Sequence, residues 1–296
     1  MSSPTLSSAS TASAHWTSEL GAWLAQHPLA CWLAGMLLAA ALARLALGGL
    51  RAVRSRRGQP QQDGDPCVTP GAARWPMLAA MVASAVALVL ASMVISRLAE
   101  SGLAGGRWGQ LDDALAGGLR AGAGQAVLQV FAALTHLGDA WALTALTLAV
   151  GALLWARGHR LLATGWMVAL AGNGAITRVL KHVFERVRPE HVHGVAQADG
   201  FSFPSGHSSA SMVAYAMLAY LGTRLLPARW HVPAALLAGA LIFTTGWSRV
   251  VLQVHYASDV LAGWLVGGTW MVCTVLIMDS VSRWRGAGRE GNPPRR

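Results

Sequence analysis

The sequence predicts an all-α protein, a polytopic bundle of transmembrane helices, and three observations lead there. Of the 296 residues, 54% are hydrophobic and only 12% are charged, with a mean hydropathy of +0.43. A soluble domain carries about a quarter charged residues, so this chain holds roughly half the usual share. Apolar runs close to the ~20 residues that cross a hydrocarbon core recur along its length. Arginines gather in the short stretches between those runs, the distribution that orients membrane helices. The formal net charge of +10 is therefore read as topogenic, and no nucleic-acid partner is expected. Cys31, Cys67 and Cys273 fit neither a disulfide framework nor a zinc spacing.

Residues 1–27 form a polar segment without Lys or Arg, which argues against a cleaved signal peptide. The first span covers 28–50, with Arg44 near enough to one end to snorkel. A basic connector completes a unit at 28–75, and the second span runs over 76–98. The Gly-rich stretch 100–138 contains Asp112 and Asp113, then an amphipathic run at 126–134. That run is expected to lie on the membrane surface or pack on the bundle rather than cross. Further spans follow at 140–156, 161–180, 207–226, 232–246 and 256–278, the fourth of these short. Residues 283–296 make a basic tail, expected to be disordered.

Seven spans put the termini on opposite sides. The connector at 51–75, the pair Arg157 and Arg160, the pair Arg224 and Arg229, and the C-terminal arginines all fall on one side, which the positive-inside rule makes cytoplasmic. The loops 182–206 and 247–255 then share the outer face, and both hold reactive side chains.

Lys181 is the chain's single lysine, at the end of a span and seven residues before Arg188-Pro189. If the helix continues to the proline, Lys181, Glu185 and Arg188 lie on one face, and two long cations can meet on one phosphate. Taken alone, Lys181 reads as an interfacial anchor. Pro204-Ser205-Gly206-His207 opens a helix whose first N–H groups are free to bind an anion, with His207 above them. Taken alone, this is ordinary capping sequence. Ser248-Arg249 and then His255 and Asp259 complete the set, with Arg249 expected in the loop and the His–Asp pair at i, i+4 on a helix. A carboxylate on one imidazole nitrogen leaves the other basic, which favours His255 over His207 as nucleophile without deciding between them. No acidic cluster able to hold Mg²⁺ accompanies these loops, and the cations can neutralise a phosphoryl group in its place.

The pattern Lys181-x6-Arg188-Pro189, Pro204-Ser205-Gly206-His207, Ser248-Arg249-x5-His255-x3-Asp259 resembles the three-part signature of the PAP2 family, the type 2 phosphatidic acid phosphatases. The resemblance implies a six-helix phosphatase core over 76–282, with 28–50 as an additional helix. It implies His255 as the nucleophile, Asp259 orienting it, and His207 as general acid and then as helper of the hydrolytic water. Lys181, Arg188 and Arg249, with Ser205 and the Gly206 N–H, would hold the phosphoryl oxygens. It further implies a phosphohistidine intermediate and a phosphorylated lipid substrate, with no metal or other cofactor. The expected location is a bacterial plasma membrane with the site facing the periplasm or cell exterior. Undecaprenyl diphosphate, phosphatidylglycerol phosphate, phosphatidic acid and lipid A phosphates all suit that geometry. Competing readings are a lipid phosphotransferase using the same residues and a non-catalytic anion-binding membrane protein. Vanadium haloperoxidases share the signature, but the spans argue against that chemistry.

Overall fold

The computed structural model describes residues 16–17, 19–57, 74–103, 106–189, 196 and 198–290. Most of the polar N-terminal segment, the connector beyond residue 57 and residues 291–296 lie outside the described residues. The helices are α1 (Pro28–Arg57), α2 (Arg74–Leu103), α3 (Arg107–Gly122), α4 (Gln125–Thr135), α5 (Ala140–Ala156), α6 (Arg160–Phe184), α7 (Gly206–Leu225), α8 (His231–Val251) and α9 (Ala257–Glu290). The described residues contain no strand.

Among the described residues, five helical stretches are long and apolar enough to cross a membrane: Pro28–Gly49, Met81–Ser101, Gln125–Ala156, Ala228–Val251 and Ala257–Trp284. The expected spans in α6 and α7 are missing from that set, although their 25 and 20 residues suffice in length. The reason is position. On α6 the buried residues include Ala163, Trp166, Ala169, Asn173 and Thr177, and on α7 Ser208, Ser209 and Ser211 face inward. Polar groups buried between helices are matched to each other, as Thr177 and Ser209 are at 3.2 Å, so these two helices need less apolar surface than those around them.

Close backbone contact fixes the inner helices. A Cβ at Gly263 of α9 would stand 2.6 Å from the Ser205 carbonyl oxygen, and one at Gly267 2.5 Å from that of Ser209. Only glycine permits that approach, and it presses the start of α7 against the start of α9. The additional helix α1 is joined to α8 in the same manner: a Cβ at Gly239 would meet the Ala39 carbonyl oxygen at 2.9 Å. Trp32 Nε1 donates to Thr244 Oγ1 at 2.9 Å, and Trp247 Nε1 donates to the Pro28 carbonyl at 3.0 Å.

Several boundaries differ from the expectation. The helix α8 runs the full 21 residues to Val251, so Ser248 and Arg249 sit on its last turn and not in a loop. The last helix continues to Glu290, taking in the first part of the expected disordered tail. The 126–134 run packs on the bundle as α4, with Leu128 and Phe131 buried against Val251, Leu252 and Val254. The preceding stretch is also helical: α3 buries Gly109, Asp112, Leu115 and Leu119, one face of an amphipathic helix.

Candidate active site

The C-terminal ends of α6 and α8 and the N-terminal ends of α7 and α9 meet at one end of the bundle, and the loops joining them carry the expected residues. The helix α6 stops at Phe184, where Glu185 turns left-handed with φ 44°. The continuous helix expected as far as Pro189 is thus not formed, and Lys181 and Arg188 do not share a helical face. They converge differently: both donate to the Phe201 carbonyl oxygen, Lys181 through Nζ and Arg188 through Nη2 at 3.2 Å. Arg188 also donates from Nε to Gly200 O at 3.0 Å, from Nη2 to Asp199 O at 3.0 Å and from Nη1 to Val254 O at 2.6 Å. Its planar fork is therefore fixed by backbone carbonyls on both sides.

Those bonds hold Arg188 Nη1 at 3.1 Å from Nε2 of His255. A guanidinium only donates, so Nε2 must carry the lone pair and Nδ1 the proton. The other side of the ring agrees: Nδ1 faces Asp259 Oδ2 at 3.4 Å and Ser202 Oγ at 3.3 Å. The helix begins only at Ala257, so the His255–Asp259 contact joins a loop residue to the first turn of α9, not two residues of one helix as expected. Asp259 is fully buried and well supplied. Its Oδ2 accepts from the Tyr256 N–H at 2.9 Å and from the Ser202 hydroxyl, and its Oδ1 from Arg186 Nη1 at 2.7 Å. Burial outweighs the nearby carboxylate and lowers the His255 pKa to about 3. A neutral imidazole with its lone pair on Nε2 is the form that can attack phosphorus.

Ser205 caps α7. Its Oγ accepts from the Ser208 N–H at 3.4 Å and the Ser208 hydroxyl at 2.9 Å, leaving its own O–H proton to donate. Its backbone N–H donates to the Asp259 carbonyl at 3.0 Å, which ties the second motif to the third. Gly206 and His207 supply the first N–H groups of the helix, which have no acceptor within it. His207 Nε2 lies 3.1 Å from Asp139 Oδ1. Arg249 is 5% exposed, donates from Nη1 to Thr135 Oγ1 at 2.8 Å, and keeps a buried Nε with no partner among the described residues. Both imidazoles lie in the fields of Arg188 and Arg249. All eight residues singled out in the sequence therefore gather in one region.

Four residues that the sequence did not single out belong to the same network. Arg186 donates to Asp259, to Ser258 Oγ at 2.7 Å and to Asp112 Oδ2 at 3.0 Å, with the Tyr256 ring centroid 4.3 Å from its guanidinium carbon. Burial works against the Arg186 charge, but Asp259 and Asp112 more than offset it and its pKa is raised. Ser202 and Asp139 complete the group. Only density of charge near Arg188 hinted at Arg186. Asp112 stands in the stretch 100–138 whose structure the sequence left open, and Asp139 directly follows it. Among the described residues no group of three or more His, Cys, Asp or Glu side chains is arranged to hold a metal ion.

An all-helical fold with stretches long and apolar enough to cross a membrane, together with the similarities that follow, makes this an integral membrane phosphatase. The chain belongs to the PAP2 superfamily, whose sequence profile matches residues 160–283. It is 34% identical over 143 residues to phosphatidylglycerophosphatase B of Bacillus subtilis (strain 168), covering 47% of this chain and 69% of that protein. It is 32% identical over 166 residues to decaprenylphosphoryl-5-phosphoribose phosphatase of Mycobacterium tuberculosis, covering 53% of this chain and 79% of the relative. Similarity to lipid A 1-phosphatase of Rhizobium etli, 34% over 114 residues, spans 36% of this chain and 45% of that protein. The crystal structure of a transmembrane PAP2-type phosphatidylglycerolphosphate phosphatase from Bacillus subtilis superposes with a TM-score of 0.57 at 25% identity, over 70% of this chain and 98% of that one.

Proposed function

We propose that this chain removes phosphate from a phosphorylated lipid through a phosphohistidine on His255, without a metal. The observation that carries the reading is the pairing at His255, whose Nδ1 faces Asp259 and whose Nε2 faces the Arg188 guanidinium. In-line attack by Nε2 needs negative charge neutralised on the equatorial oxygens. Lys181, Arg188 and Arg249 supply three positive charges, and Ser205 O–H and the Gly206 N–H supply donors at a helix terminus. Asp259 keeps His255 in the reactive tautomer. His207 protonates the leaving oxygen, then takes a proton from the water that releases phosphate.

The substrate class follows from position and from the relatives. A phosphate at the helix ends places an attached tail among apolar helices, and the relatives named above act on phosphorylated lipids or lipid carriers. Candidates are undecaprenyl diphosphate, phosphatidylglycerol phosphate and phosphatidic acid. The phosphatase unit is assigned to 76–282, with the site on the extracytoplasmic face, periplasmic in a Gram-negative cell.

The full-length protein in detergent should release inorganic phosphate from at least one such lipid, equally with and without EDTA. Release from none of them, or EDTA inhibition reversed by Mg²⁺, contradicts the reading. Appearance of the phosphoryl group on an added lipid alcohol in place of free phosphate identifies a phosphotransferase.

A further inference from the structure

Asp139 is the N-cap residue of α5, yet its carboxylate accepts no backbone N–H of the helix it caps. An aspartate there ordinarily takes a backbone N–H of the first turn. Here Oδ1 faces Nε2 of His207 at 3.1 Å, while Oδ2 takes His136 Nδ1 at 2.7 Å and the Trp141 indole N–H at 3.0 Å. Two neighbours hold one oxygen and leave the other for the imidazole. The chain just before it is committed to the same site. Thr135 accepts from Arg249, and a Cβ at Gly138 would stand 2.3 Å from Thr245 Cγ2 and 3.0 Å from His207 Cδ2.

We propose that Asp139 is a positioning residue for the acid–base histidine, holding His207 by Nε2 so that Nδ1 is the atom that gives and takes the proton. The inference rests on the proposed role of His207. A carboxylate at Nε2 keeps that nitrogen protonated and pulls the pKa up; burial and Arg249 outweigh it and lower the pKa to about 4, an opposition that the negative charge of a bound phosphate would offset, while Nδ1 has no partner among the described residues. In the first step the Nδ1 proton passes to the leaving oxygen as its bond to phosphorus breaks and the bond from His255 Nε2 forms. In the second, Nδ1 takes a proton from water as the water oxygen bonds phosphorus and the P–N bond breaks. Inorganic phosphate leaves and both rings regain their starting states, with Asp139 ionised throughout.

A structural role and a positioning role separate by leaving group. An alkyl phosphate needs its leaving oxygen protonated; 4-nitrophenyl phosphate scarcely does. In full-length protein, D139N and D139S, which keep a cap-competent side chain, should lower kcat on a dialkylglycerol phosphate about tenfold or more but on 4-nitrophenyl phosphate by less than about threefold. H207N should show the same pattern more strongly. Equal losses on both esters in the Asp139 variants, or no loss on either, would overturn the proposal. Were H207N equally impaired on both esters, the acid–base reading of His207 itself would fail.

Discussion

Arg186 Nη1 stands 2.7 Å from Oδ1 of Asp259, in a pair whose side chains are 5% and 0% exposed. The same guanidinium reaches Asp112 Oδ2 at 3.0 Å, so one buried cation neutralises carboxylates from α3 and α9. The Ser258 backbone N–H donates to Asp112 Oδ1 at 3.1 Å, which closes the network around the first turn of α9. The orientation of the candidate nucleophile therefore depends on a helix far from it in sequence.

Removing Arg186 leaves two buried carboxylates uncompensated. Arg186→Gln should cost about 3–5 kcal/mol of stability, the usual consequence of breaking a buried pair from one side. Arg186→Lys, with one point charge in place of a fork, should recover only part of it. Thermal unfolding in detergent reads both variants, and unchanged melting in Arg186→Gln would refute the structural weight given to this ion pair.

Gly263 supports the site by having no side chain. The Cβ of Gly263→Ala would stand 2.6 Å from the Ser205 carbonyl, so α7 and α9 must separate. The expected result is a fall in kcat of about tenfold or more, since an ångström of misplacement is expensive at a reacting centre. Phosphate-release assays at saturating lipid check it.

The sequence displayed the succession of helices, the three motifs and their meeting at one end of the bundle. Hydropathy was least informative at α6 and α7, where Asn173, Thr177 and Ser209 satisfy one another inside the protein and replace the apolar residues a lipid-facing helix would carry. The stop at Phe184 was also hidden. Pro189 marks a limit for the helix, but the earlier turn at Glu185 belongs to a chain that delivers Arg186 to Asp259 and Asp112. Asp112, in the stretch 100–138 where the sequence offers only short amphipathic signals, and Asp139, just after it, find their partners 74 and 68 residues away.

Protonation of His255 gives a pH prediction with a definite sign. Its folded pKa of about 3 lies below the value near 6.5 of a free imidazole, because burial disfavours the charged ring. Between those limits the unfolded chain binds the additional proton, so this contribution to stability is complete above about pH 6.5 and is lost as pH falls toward 3. His255→Gln should flatten the acid side of the melting-temperature profile. In wild type, an acid limb of kcat/KM near pH 6.5 assigned to His255 would contradict the burial of this ring.

Arg188 holds its position through backbone carbonyls while facing Nε2 of His255. Arg188→Lys keeps the charge and loses the fork, and should weaken vanadate inhibition about tenfold or more, because a point charge cannot take the set of carbonyl contacts that fixes the cation beside His255. Equal vanadate sensitivity in wild type and variant would remove Arg188 from the phosphate cradle.

Acid–base chemistry around a covalent phosphoenzyme is most directly tested by trapping the intermediate. Full-length protein mixed with a lipid carrying ³²P in its terminal phosphate and quenched in alkali should hold an acid-labile, base-stable label that maps to His255. The label should vanish in His255→Gln and persist longer in His207→Asn. Turnover without any trapped label, or a label on another residue, would contradict nucleophilic attack by His255.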